Sequence, residues 1–359
     1  MGEKMFVEGN EAIGWGAIAA GCLHFFGYPI TPQNEITEFF ARELPKRGGC
    51  FVQSEAEFAS IALLYGGAST GVRAMTSTAS PGWSLMQEGI SCLTNAELPC
   101  VIVDVQRGGP GQGSVTHSQM DYLSATRGGG HGGYKTIVLA PHSVQESHDL
   151  MQLAFYLADK YRNPVVVLSD GVLGRTMESL EMKTLDFGPL PEKDWAVKGS
   201  AEKGGLQSRI ICAQGTTDFP PYVTVLERYS KKWEEMRDNE VRYEAYQADE
   251  AALLLVAFGY VARSCKEAVN MARSQGLKLG LIRPITLWPF PYYEIRKRGL
   301  KGANFLVVED NLGQMVDDVR LGLEGKAEVH FLGALARHVP TSLGMIMPDR
   351  VLEEAKSLL

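Results

Sequence analysis

Hydrophobic positions along the first half of the chain alternate between two spacings. From Glu11 to Gly21, "EAIGWGAIAAG", small and apolar residues recur at helical intervals, with Asn10 placed to cap the helix and Gly21 to end it. "AEFASIALLYGGAST" predicts a second helix, and the short strand "VRAMTS" and a third helix, "GWSLMQEGISCLTNA", follow it. "PCVIVDVQ" (Pro99 to Gln106) and "PVVVLSD" are β-branched runs that read as buried strands. Between them, the helical segment from Ser143 to Tyr161 opens with Ser143 and Glu146 at the spacing of a capping box. Helices alternating with near-continuous apolar strands predict an α/β fold whose parallel sheet is covered on both faces.

The pattern breaks from about Gly171 to Tyr222, where Gly, Pro and isolated charges predict an irregular extension wrapped over the first domain. "TVLERYSKKWEEMRDNEVRYEAYQ" (Thr224 to Gln247) then reads as one long, charge-laced connector helix. A second α/β unit begins with "AALLLVAFGYVARSCKEAVNMARSQGLKLGLIRPITLWPFP", which reads as strand, turn, amphipathic helix, strand and a Pro-punctuated loop, and has further strands in "ANFLVVEDN" (Ala303 to Asn311) and "AEVHFLG". The expected division is therefore residues 1–245 and residues 246–359.

With 359 residues, 45% of them hydrophobic, the chain has room for two such domains. A net charge of −7 and the absence of any Lys/Arg-rich run argue against nucleic acid as a partner. No apolar run reaches the ~18–20 residues that cross a bilayer, and "MGEKMFVEGN" carries no signal-peptide core, so the expected location is the cytoplasm, away from membranes. The six cysteines, Cys22, Cys50, Cys92, Cys100, Cys212 and Cys265, are scattered and form no metal-binding or cluster-binding motif.

Ligands in open parallel sheets sit beyond the carboxyl ends of the strands, which makes each strand-to-helix turn a candidate. "GYPITPQNEI" braces Thr31 between Pro29 and Pro32, either as a rigid turn with a capping hydroxyl or as a ligand contact. "FVQSEAEFAS" puts Glu55 and Glu57 where a strand yields to a helix; helix-terminal electrostatics explains either acid alone, and a functional reading needs one carboxylate to point inward. "TSTASPGWS" (Thr76 to Ser84) is a hydroxyl-rich turn. The Gly-rich stretch from Val105 to Tyr134 holds Arg107, His117, Arg127 and His131, and its length suggests that it covers or lines a site. It has no dinucleotide fingerprint or phosphate loop, which disfavours a kinase or nucleotide-binding module. Arg107 there is a natural clamp for a carboxylate.

"GYPITPQNEI", "QSEAE", "TSTASPG" and "VQRGGPGQG", in that order, resemble the α subunit of the 2-oxoacid:ferredoxin oxidoreductases. The resemblance covers essentially the whole chain, since "VAFGYVARSCKEAVNMARSQGLKLGLIRPITLWPFP" is similar to that family's transketolase C-terminal-like domain. "GNEAIGWGAIAAGC", "ITPQNEI" and "ATRGGGHGGY" look closest to subunits acting on branched-chain 2-oxoacids such as 3-methyl-2-oxobutanoate, with 2-oxoglutarate enzymes next.

The resemblance implies that residues 1–245 are the pyrimidine-binding half of a thiamine diphosphate site. Diphosphate and Mg²⁺ would be held by a separate β subunit, and [4Fe–4S] clusters by β or a ferredoxin-like δ subunit, with a γ subunit alongside. It implies oxidative decarboxylation of a 2-oxoacid to acyl-CoA and CO₂, with coenzyme A as acceptor and ferredoxin as oxidant. Glu55 falls on the family's glutamate beside N1′ of the aminopyrimidine, and Thr31 on the threonine facing substrate and cofactor. Arg107 falls where an arginine meets the substrate carboxylate; Thr78, Ser80 and Gly82 would back the pyrimidine, and His131 and His117 would reach the substrate end. Two rivals are a self-contained thiamine enzyme, which requires a G-D-G…N motif that "LSDGVLG" does not supply, and a non-catalytic scaffold subunit.

Overall fold

The computed structural model describes residues 4–197, 222–337 and 344–359. In chain order the first unit holds β1 (Lys4–Glu8), α1 (Gly9–Ala19), β2 (His24–Gly27), α2 (Asn34–Glu43), β3 (Cys50–Gln53), α3 (Glu57–Ser69), β4 (Ala74–Thr78), α4 (Ser80–Asn95), β5 (Cys100–Gly108), β6 (Ser114–His117), α5 (Tyr122–Arg127), β7 (Ile137–Leu139), α6 (Val144–Tyr161), β8 (Pro164–Asp170), α7 (Gly171–Arg175) and β9 (Met177–Glu181), with β1 and β9 paired as a separate two-stranded ribbon. The chain continues through α8 (Tyr222–Asn239), β10 (Tyr243–Tyr246), β11 (Leu253–Val256), α9 (Gly259–Ser274), β12 (Leu279–Pro284), β13 (Thr286–Trp288), α10 (Tyr292–Gly299), β14 (Asn304–Val308), α11 (Met315–Leu323), β15 (Val329–Leu332) and α12 (Pro348–Leu358).

The expected parallel sheet is present. Its strands run β13-β7-β8-β5-β4-β2-β3, parallel from β7 to β3, with β13 antiparallel on one edge and β6 folded back on β5. Alternate residues of β5 explain its unbroken apolar run: Val101, Val103 and Val105 face α1, α2 and α6, while Ile102 faces α3 and α4. The second sheet runs β10-β12-β11-β14-β15, with β10 alone antiparallel. Leu254, Val256, Phe258 and Phe305 of this second unit pack into the same cluster as Trp83 and Met86 of α4, so one core spans both units. No helix among the described residues is long and apolar enough to cross a membrane.

Several local expectations change. Asn10 does not cap α1, which begins one residue earlier at Gly9 after Glu8. The connector helix stops at Asn239 rather than continuing to Gln247. Glu240 ends it: its buried carboxylate takes Lys160 at 2.7 Å, Tyr161 at 2.5 Å and Arg242 at 2.7 Å. The following residues, Tyr243 to Tyr246, then join the second sheet as an antiparallel edge. The extension expected from Gly171 begins with α7 and with β9, which pairs β1; residues 198–221 of it, with Cys212, lie outside the described residues.

The capping box at α6 is half as expected. Ser143 accepts from the Glu146 backbone N–H at 3.2 Å. The Glu146 carboxylate accepts both arms of the Arg283 fork at 2.9 Å and thus bolts α6 to the second unit. Burial alone would raise this carboxyl, but His142 and Arg283 hold it down at about 2.

Candidate active site

The turns after β2, β3 and β4 and the end of β5 converge at one end of the first sheet. Gln33 fixes the first turn from inside: fully buried, it donates to the Tyr28 carbonyl at 2.9 Å and accepts from Ser77 of β4 at 2.6 Å. Asn10 of α1 grips the same turn through the Pro32 carbonyl at 2.9 Å. Thr31, joined to Pro32 by a cis peptide, is left half-buried at its tip.

Arg107, 7% exposed, reaches that tip from β5 and donates to the Thr31 carbonyl at 3.0 Å and to the Gln112 carbonyl at 2.8 Å. Among the described residues its buried Nε–H has no acceptor. A guanidinium spent on neutral oxygens alone, the two carbonyls and the Gln112 amide oxygen at 3.4 Å, with a donor to spare, is arranged for a carboxylate. Ser80, first residue of α4, accepts from the Arg107 backbone N–H at 2.9 Å. Thr31, Arg107 and Ser80 are thus brought together, and Thr78 lies fully buried at the end of β4 beside them.

The two acids after β3 part company. Glu55 lies in the turn with its side chain in solvent, while Glu57, the first residue of α3, is only 5% exposed. The reason is the helical period: Glu57 shares the buried face of α3 with Ser60, Ile61, Leu64 and Ala68, a face that Glu55 precedes and cannot join. Among the described residues, Glu57 accepts no hydrogen bond, which is costly for a buried carboxylate unless a ligand supplies the donor. Its Oε1 lies against Gly82, where an added Cβ would fall 2.5 Å from it and collide with Thr78 Oγ1. The inward-pointing acid is Glu57, in place of the expected Glu55. The signal that finds it is the 57, 60, 61, 64, 68 spacing, readable in the sequence.

The Gly-rich stretch does not act as one loop. His131 is exposed, and its carbonyl accepts from Ser91 eleven residues along α4 from Ser80, about 16 Å away at 1.5 Å per residue. It is not part of the Thr31–Arg107 group, contrary to its expected place at the substrate end. His117 is buried at the junction between the units, with Nδ1 2.8 Å from Asp310 Oδ2, and Arg127 pairs with Asp318 at 2.5 Å. Asp310 also takes Tyr260 at 2.8 Å and Arg337 at 2.7 Å, and Gln119 bonds the Asp310 and Phe258 backbones. These second-unit partners, absent from the expected site, hold the stretch against β5. Asp170 ends β8 and caps α7 through Val172 N–H at 3.0 Å and Leu173 N–H at 2.9 Å.

An aminopyrimidine fits this group. It offers a protonated ring nitrogen or amine to an acceptor and a flat face to a glycine, and Glu57 and Gly82 supply a partnerless acceptor and a surface without a side chain.

Comparison with known proteins bears on the same region. Residues 15–246 match the family described as pyruvate flavodoxin/ferredoxin oxidoreductase, thiamine diphosphate-binding, and residues 251–342 match the pyruvate:ferredoxin oxidoreductase core domain II. A ketoisovalerate oxidoreductase subunit VorB of Methanothermobacter marburgensis is 47% identical over 317 residues, covering 88% of each chain. A 2-oxoglutarate synthase subunit KorA of Methanocaldococcus jannaschii is 39% identical over 335 residues, covering 88% of this chain and 90% of that one. The solved 2-oxoglutarate:ferredoxin oxidoreductase of Magnetococcus marinus, with 2-oxoglutarate, coenzyme A and succinyl-CoA bound, superposes with a TM-score of 0.87 at 28% identity. That match covers 99% of this chain and 65% of the other. A split-gene transketolase shares the fold, with a TM-score of 0.59 at 14% identity.

Proposed function

Because this chain belongs to the pyruvate flavodoxin/ferredoxin oxidoreductase family, whose members are subunits of oxidoreductases acting on 2-oxoacids, we propose that it carries the aminopyrimidine half of a thiamine diphosphate site. The reaction is CoA-dependent oxidative decarboxylation of a branched-chain 2-oxoacid, with ferredoxin as electron acceptor, in the cytoplasm. The observation that supports it most is Glu57: buried, accepting no hydrogen bond among the described residues, and set against Gly82 and Thr78.

Glu57 would be the acid that holds the aminopyrimidine at N1′ and supplies a proton acceptor there, the role the family resemblance gives to Glu55. When bound, thiamine diphosphate supplies the carbanion chemistry that no side chain here can supply. Arg107 forks the substrate carboxylate, and Thr31 is held at the reacting end by Gln33 and Asn10 so that little reorganisation is needed. Thr78, Ser80 and Gly82 form the wall behind the pyrimidine. Among the described residues Arg107 is the cation that reaches this group, which favours a monocarboxylic 2-oxoacid with an apolar side chain over 2-oxoglutarate, whose second carboxylate needs a cation of its own.

Mg²⁺ and the diphosphate are assigned to a β-type partner subunit. The [4Fe–4S] clusters are assigned to partner subunits as well, since the cysteines here are scattered along the chain. A cavity of about 510 Å³ between α3 and α4 is lined by Phe58, Ile61, Leu85 and Gly89, and it runs from the very helix ends that carry Glu57 and Gly82. Phe58 is 59% and Leu85 55% exposed, so this apolar face is suited to seat the subunit that completes the cofactor site. Leu85→Asp is expected to weaken co-purification of that partner by about two orders of magnitude, as burying an unpaired charge costs about 3 kcal/mol or more. The circular dichroism spectrum of the chain should stay unchanged.

The function is tested by assaying the co-purified complex with 3-methyl-2-oxobutanoate, 2-oxoglutarate and pyruvate, coenzyme A and a low-potential dye. The first is expected to have the highest kcat/KM. Preference for 2-oxoglutarate overturns the substrate assignment, and oxidation of none of them favours a scaffold role.

A further inference from the structure

One costly group in the first sheet is used by nothing described so far. Asp104 lies within the apolar run of β5, fully buried, and among the described residues neither carboxyl oxygen finds a hydrogen-bond donor. Its strand neighbours are Thr78 on β4 and Leu168 on β8, which puts it beside Thr78 of the candidate site. The charged group that faces it is Asp121, from the start of α5. Two carboxylates are two acceptors, so their contact becomes a hydrogen bond only when one of them carries a proton.

Asp121 is tied to the site by its other contacts. Its carboxylate accepts the Ser80 hydroxyl, and its backbone N–H donates to Gln106 Oε1 at 3.1 Å. Ser80 has a single hydroxyl proton; giving it to Asp121 leaves a lone pair for the Arg107 N–H at 2.9 Å. The Arg107 carbonyl is satisfied instead by Ser118 at 2.7 Å. Arg107 therefore receives its main-chain register from a serine that Asp121 orients.

We propose that Asp104 and Asp121 form a one-proton carboxyl pair that positions Arg107: Asp104 holds the proton, Asp121 stays ionised, Ser80 is locked between Asp121 and the Arg107 peptide, and the guanidinium is thereby kept against Thr31. Both are positioning residues. The inference rests on Arg107 as the carboxylate clamp. The electrostatics agree in direction: burial, then the charge of Asp121, raises Asp104 well above the ordinary carboxylate range, and burial raises Asp121 to about 6 against the lowering bond from Ser80. Among the described residues Asp121 is faced from β5 by Asp104 and from α4 by the neutral Ser80, and the guanidinium of Arg107, also on β5, is turned to Thr31 and Gln112.

The test uses the assembled holoenzyme. Below about pH 6 Asp121 gains a proton and loses its charged grip on Ser80, so the wild-type KM for the 2-oxoacid should rise roughly 5- to 10-fold as pH falls, the difference between a charged and a neutral hydrogen bond. Asp121→Asn should show that higher KM at every pH, with kcat and cofactor loading near wild type. Asp104→Asn, an isostere of the protonated acid, should keep both the neutral-pH KM and the acid limb near pH 6. Infrared spectra at neutral pH should contain a buried protonated-carboxyl stretch that Asp104→Asn removes. A wild-type KM profile in Asp121→Asn, or absence of that infrared band, overturns the pair. If Arg107→Lys leaves KM unchanged while the band is present, the clamp assignment fails instead.

Discussion

Glu57→Gln in the assembled enzyme is expected to lower kcat by about 10²–10⁴-fold, the usual contribution of a positioned proton-transfer group. The amide keeps the size of the side chain but cannot take up and return a proton at the pyrimidine. Because the carboxylate is buried and accepts no bond among the described residues, its neutralisation removes a strain rather than a support. Thermal unfolding of the variant complex should therefore be no lower than wild type, and the partner should still co-purify. Glu55→Gln, on an exposed turn, should leave kcat within about twofold, because surface changes are typically worth under about 0.5 kcal/mol. The pair of variants separates two acids that are two residues apart; full activity in Glu57→Gln would mean that this chain only scaffolds the cofactor.

The second large effect is at Arg107. Its guanidinium serves the Thr31 and Gln112 carbonyls at once and retains a free Nε–H. A lysine brings one flexible point charge and no fork. Arg107→Lys is expected to raise KM for the 2-oxoacid and lower kcat/KM by about 10²-fold in all, corresponding to about 3 kcal/mol for a lost bidentate charged contact and a loosened Thr31. Steady-state kinetics with varied 2-oxoacid and saturating coenzyme A measures it. An unchanged KM would remove Arg107 from the substrate site.

How much of this was legible in the letters differs from element to element. The βα alternation and the convergence of Thr31, Arg107, Thr78, Ser80 and Gly82 follow from local signals, because apolar strands, turn residues and the carboxyl-end rule act over short spans. The choice between Glu55 and Glu57 was legible too, in the period of α3, but sequence resemblance favoured the neighbouring acid. What was hidden depends on distant partners. The stretch from Val105 to Tyr134 reads as a loop because the groups that fix it, Asp310, Gln314 and Asp318, arrive almost two hundred residues later. The end of the connector helix depends on Lys160 and Tyr161 meeting Glu240. Asp104 is plain in the letters, but nothing in a strand that is apolar on both faces tells that its buried carboxyl meets Asp121 from the start of α5.

The strand β13 has an implication of its own. It belongs by sequence to the second unit yet closes the free edge of β7 in the first sheet, antiparallel to Ile137–Leu139. The residue-246 boundary suggested by composition is thus a seam in the letters and not in the solid. A gene cleaved there would encode one half with an open, apolar border at β7 and another carrying an orphan ribbon that belongs to it. Heritable separation of the two parts, however natural their outline, would demand a new cover for that border before either product could stay in solution.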